Sequence, residues 1–78
     1  MEERIKLIMA DILNVDENSI DESTSMAIVD SWDSLNHINL CVSFEQEFQV
    51  TFDVAEIESM VSYGDVLDVL RRKLETAI

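Results

Sequence analysis

A chain of 78 residues with no proline and a single glycine, Gly64, has few ways to build tight turns. Small β-sandwiches and barrels depend on such turns, so the fold is pushed toward helices. The apolar spacing agrees. Ile5, Ile8, Met9 and Ile12 recur at i, i+3, i+4 and i+7, while Glu2, Glu3, Arg4, Lys6 and Asp11 take the remaining positions, which predicts a helix over Glu2–Leu13. A second helix is predicted over Ser34–Phe48. Leu35, Ile38, Leu40, Cys41, Val42, Phe44 and Phe48 cover more than half its circumference, with Asn36, Asn39, Ser43, Gln46 and Glu47 as the polar strip. A helix apolar over so much of its surface is expected at the centre of a bundle. Glu45 falls inside the apolar arc, so it is expected at the rim or partly buried with a partner.

Two further helices are signalled by their caps. Asp53 and Glu56 have capping-box spacing, and Phe52 and Ile57 sit where a hydrophobic staple belongs, predicting a short helix over residues 54–60. Ser62 is the expected N-cap of the last helix, with Asp65 in its first turn and Val61 and Val66 as staple. That helix is expected to bury Tyr63, Val66, Leu67, Leu70 and Leu74 and to carry Arg71, Arg72 and Lys73 in its later turns. Residues 14–33 are rich in Asp, Glu, Ser and Asn and have no helical period. So long a connection in a small domain is usually functional or tied down. Val15, Ile20, Met26, Ile28 and Val29 are the expected anchors. The expected fold is all-α: a small four-helix bundle of three main helices and one short one, with a long first loop, forming one domain over residues 1–78.

Charge and composition narrow the function. Seventeen acidic against five basic residues give a net charge of −12. Nucleic acid would be repelled; the acidic excess either simply keeps a small domain soluble or favours basic protein surfaces as partners. Cys41 is the only cysteine, which rules out an intrachain disulfide and a Cys-based zinc site and fits a reducing compartment; it is expected to be a small buried hydrophobe. The acidic start Met1-Glu2-Glu3 does not fit a signal peptide, and the apolar runs are too short to span a membrane. A soluble, cytoplasmic, monomeric protein is expected.

Catalytic motifs fail one by one. A nucleophile elbow needs two glycines around its serine. His37, the only histidine, follows Ser34 by three residues, but a helix-surface histidine is the simpler reading. Residues 16–21 begin like a calcium loop, then place Ile20, Asp21 and Ala27 where an oxygen ligand, glycine and glutamate belong. No glycine-rich phosphate cradle is present. What remains is Ser34, at the junction of a polar loop and the central helix. On the residues alone, Asp33 or Ser34 is simply an N-cap. A group attached to Ser34 would also lie beside a helix N-terminus, which suits a phosphate.

The run Trp32-Asp33-Ser34-Leu35-Asn36-His37-Ile38, followed by Phe44-Glu45-Gln46-Glu47-Phe48-Gln49-Val50, resembles the acyl carrier protein family, and discrete bacterial members in particular. Length, acidity, the long loop and the start of the last helix extend the resemblance over the whole chain. It implies that Ser34 receives 4′-phosphopantetheine through a phosphodiester, made from coenzyme A by a magnesium-dependent phosphopantetheinyl transferase. The arm's thiol would carry acyl groups as thioesters between acyl-loading and condensing enzymes of fatty acid, polyketide or related synthesis. The protein itself would not be an enzyme. The resemblance also implies docking of basic partner surfaces through Asp33, Leu35, Val42 and Glu45, and an acyl-chain wall of Ile38, Cys41, Val42, Met60 and Val61. Asn36, Asn39 and Gln46 stand where fatty-acid carriers commonly have acids, which implies a dedicated partner set. Gln49 replaces a common glycine at the end of the central helix. A peptidyl carrier, loaded with aminoacyl thioesters, and an unmodified acidic adaptor are the alternatives.

Overall fold

The structure is a computed structural model and describes residues 1–76. Helix α1 spans Glu2–Leu13, α2 Ser34–Phe48, α3 Val54–Ser59 and α4 Tyr63–Thr76. A single 3-10 turn, Glu17–Ser19, interrupts the long first connection. The chain thus forms the expected all-helical bundle, and α3 stops one residue short of its predicted end.

In α1 the fully buried row is Ile5, Met9 and Leu13, with Ile8 and Ile12 packed at its edge. The helix closes at Asn14, in the left-handed conformation (φ 56°), which asparagine tolerates better than most residues. The connection is pinned, as its apolar residues predict. Ile20 is buried, and Val15, Met26 and Val29 pack against the core. Ile28 does not: it is 69 % exposed. Backbone bonds hold the loop to the α3–α4 connection, with Met26 N–H donating to Val61 O at 2.9 Å and Tyr63 N–H to Thr24 O at 2.9 Å.

Asp33 caps α2, its Oδ1 accepting the Asn36 N–H at 2.9 Å. The inward face of α2 is His37, Leu40, Cys41 and Phe44. Leu35, Ile38 and Val42 face outward instead, at 71, 50 and 45 % exposure. The apolar arc is therefore split, because His37 takes an inner position that the pattern assigned to aliphatic residues. Gln49 ends α2 at φ 57°, its side-chain Nε2 donating to Gln46 O at 2.8 Å. A glycine would hold this conformation without the Cβ penalty.

Both halves of the Asp53–Glu56 capping box form. Ser62 caps α4, its Oγ accepting the Asp65 N–H at 3.1 Å. Val66 is buried, but its staple partner Val61 is largely exposed. Tyr63, Val66 and Leu70 are buried as expected, Leu67 and Leu74 are half-buried, and Val69 joins the core unforeseen. Among the described residues, three ion pairs tie helices together: Arg4–Glu47, Arg71–Glu2 and Lys73–Glu56, at 2.7, 3.0 and 2.7 Å.

Candidate functional site

Ser34 is the first residue of α2 and is exposed. The Asp33 cap takes the Asn36 N–H, and the Asp33 carbonyl takes the His37 N–H at 2.8 Å. The N–H groups of Ser34 and Leu35 have no partner among the described residues. A phosphodiester on Ser34 Oγ would therefore sit beside open backbone donors at the positive end of a fifteen-residue helix. The residues present fit such a group. Of the two capping candidates, Asp33 does the capping, which leaves the serine hydroxyl outside the cap.

The approach to Ser34 is braced from both sides. Ser31 Oγ donates to the carbonyl of Leu13 at 2.7 Å, and Asn36 Nδ2 donates to the carbonyl of Ser31 at 2.8 Å. Asn36 is thus a tie within the loop–helix junction, which accounts for an amide where an acid would lack the needed donor. Beneath it, Trp32 is 2 % exposed and donates its indole N–H to His37 Nδ1 at 3.0 Å. With Nδ1 accepting, the ring proton lies on Nε2, which donates to the carbonyl of Ile57 at 2.7 Å. His37 is therefore no surface histidine. It is 8 % exposed, its two nitrogens are both used, and it joins the pre-helix loop, α2 and α3. Nothing in the spacing of a tryptophan and a histidine five residues apart announces this bridge, because its third member lies twenty residues further on.

The expected docking residues fall into two kinds. Leu35 and Val42 are open to solvent. Asp33 is exposed but committed to its cap, and Glu45 is half-buried, with Oε2 accepting the Phe52 N–H at 2.8 Å. That bond fulfils the expectation of a partly buried Glu45 with a partner. The expected acyl wall is not one surface: Cys41 and Met60 are buried, whereas Ile38, Val42 and Val61 face out. A surface groove of about 320 Å³ lies elsewhere, between α1 and α2, lined by Ile8, Asp11, Ile12, Ser43, Gln46 and Glu47. The Cys41 thiol is pushed up to about 11, by burial first and by the nearby Glu45 carboxylate second.

An exposed serine opening the central helix of a small acidic bundle offers a point at which a carried group could be attached. Comparison with known proteins agrees. The family model for a phosphopantetheine attachment site matches residues 3–72. The chain is 32 % identical over 71 residues to an acyl carrier protein of Thermotoga maritima, covering 91 % of this chain and 88 % of that protein. It is 35 % identical over 72 residues to one of Thermosynechococcus vestitus, covering 92 and 89 %. Among solved structures, the solution NMR structure of a holo acyl carrier protein from Geobacter metallireducens superposes with a TM-score of 0.85 at 29 % identity, over 97 % of this chain and 87 % of that one. The chain belongs to the acyl carrier protein family, whose covalently attached group is phosphopantetheine.

Proposed function

We propose that Ser34 bears 4′-phosphopantetheine and that the whole chain acts as a single, monomeric carrier of acyl thioesters in the cytoplasm, passing intermediates between separate enzymes. The observation that carries the assignment to Ser34 is its place at the first position of α2, exposed and free of the cap that Asp33 supplies. When attached, the arm supplies the thiol on which acyl groups travel. The protein's own residues hold the attachment point in place, through the Ser31–Asn36 tie and the Trp32–His37 bridge.

Partner enzymes dock on the face that surrounds Ser34, with Asp33, Leu35, Val42 and Glu45 as its contacts. Residues 34–44 carry no formal charge at neutral pH with His37 neutral, and the acids that follow are engaged internally, Glu45 with Phe52 N–H and Glu47 with Arg4. Leu35 and Val42 therefore dominate the contact, and the net charge of −12 acts at longer range to draw basic partner surfaces. Such a helix favours dedicated partners over the general fatty-acid machinery.

The test is incubation of the apo protein with coenzyme A, magnesium and a broad-specificity phosphopantetheinyl transferase. Mass spectrometry is expected to find one phosphopantetheine on the wild type and none on Ser34→Ala. An unmodified wild type beside a modified control carrier would sink the reading in favour of an adaptor.

A further inference from the structure

The interior behind Ser34 is closed by a specific set of bonds, and that closure bears on the cargo. An alkyl chain at the end of an arm on Ser34, folding back between α2 and α3, would have to pass the seam that His37 of α2 and Ile57 of α3 bridge. His37 holds the carbonyl of Ile57, near the end of α3, at 2.7 Å, and accepts the indole N–H of Trp32 at 3.0 Å. Both partners are already committed, so His37 cannot swing aside without stranding a buried indole donor on one side and freeing a carbonyl on the other. The space deeper in is filled by Trp32, Cys41, Phe44 and Met60, all fully or almost fully buried. Residues that would make a more yielding wall, Ile38, Val42 and Val61, are turned outward.

We propose that Trp32, His37 and Ile57 form a latch that keeps the α2–α3 seam shut, and that this carrier presents its cargo outside the bundle. The cargo class is a short or polar acyl thioester. Such a group is stable in water, whereas each methylene of a long alkyl chain held outside is unfavourably hydrated. This inference rests on the carrier reading of Ser34 and specifies its substrate.

The experiment loads the apo protein at Ser34 with acetyl-, hexanoyl- and dodecanoyl-4′-phosphopantetheine arms, transferred to the Ser34 hydroxyl from the corresponding coenzyme A thioesters by a broad-specificity transferase, with adenosine 3′,5′-bisphosphate as the leaving group. Intact mass confirms each loading. Thermal unfolding and the emission of Trp32, the only tryptophan, are the readouts. The three wild-type forms are expected to melt within about 2 °C of one another with unchanged emission, because no chain gains a buried site. In His37→Ala, which removes the latch, the dodecanoyl form is expected to melt about 5 °C above the acetyl form as the chain fills the opened seam. Trp32→Phe, which keeps a ring in the core but frees His37, is the second opening variant and is read by melting alone. A wild-type melting temperature that climbs with chain length, accompanied by a shift in Trp32 emission, overturns the latch. So do opening variants that fold yet gain no chain-length dependence. Failure of the wild type to accept any arm, with a control carrier loaded, instead overturns the carrier reading itself.

Discussion

Cys41 lies on the inward face of α2, and its thiol is raised from an ordinary 9.0 to about 11 by desolvation and then by the Glu45 carboxylate. At pH 8 the folded thiol is then about one part in a thousand ionised, and the thiolate is the reactive form. The apo protein is expected to resist a disulfide reagent at pH 8 and to react at once in denaturant, as absorbance of the released thiol would record. Rapid labelling of the folded apo protein would contradict the burial. The sign follows from linkage: with the folded value raised, stability is whole below the unfolded value and is lost as pH rises through about 11. That Cys41 is buried was legible from its place in an apolar arc. That His37 shares the same face was not, because a histidine counts as polar until both of its nitrogens are seen to be satisfied. Burial of polar groups is decided by partners, and partners are set by tertiary structure.

The short α3 would not stand alone, since six residues make little more than one turn and helix nucleation is costly. Its ends are held from outside. Glu56 Oε1 accepts the Asp53 N–H at 2.9 Å and meets Lys73 Nζ of α4 at 2.7 Å, and both contacts keep its carboxylate below the usual range, Lys73 first and the cap second. Glu56→Gln preserves a cap acceptor and removes the charge. It is expected to cost about 0.5 kcal/mol at pH 7 by urea unfolding, the range for a solvated pair. Because the folded value is depressed, this contribution is present above the unfolded value and disappears as pH falls through the folded one. Variant and wild type should therefore converge in acid, and a constant difference would refute the ion pair. Element boundaries were readable here because caps are local: Asp33, Asp53 and Ser62 each act within three residues. The long loop was readable only as anchored. Its antiparallel bridge from Ser25 to Ser62 pairs positions 37 apart, and Ile28, chosen by hydrophobicity alone, faces solvent.

Across the whole molecule the charges are unevenly placed. All five basic residues lie in the first turns of α1 or the later turns of α4, at Arg4, Lys6, Arg71, Arg72 and Lys73. Three of them form the interhelix ion pairs, and Lys6 lies over the Tyr63 ring at 5.5 Å. Residues 7–70 hold fourteen acids and no lysine or arginine, so the long middle of the chain that includes Ser34 carries formal charge of one sign only. The longest dimension is 34 Å, comparable to the screening length of about 30 Å at 0.01 M ionic strength, so every carboxylate then feels every other. Near 0.15 M that length falls to about 8 Å, which leaves the close ion pairs partly intact and removes the long-range repulsion. The three ion pairs among the described residues, all at least partly solvated, are worth little beside a net charge of −12. Adding sodium chloride from about 0.01 to 0.2 M should therefore raise the melting temperature, by about 5 °C, with repulsion being screened faster than attraction. Potassium chloride should act equally, since screening depends on ionic strength, and calorimetry in both salts measures it. A melting temperature that falls with salt would place the ion pairs, rather than the acidic excess, in control of stability.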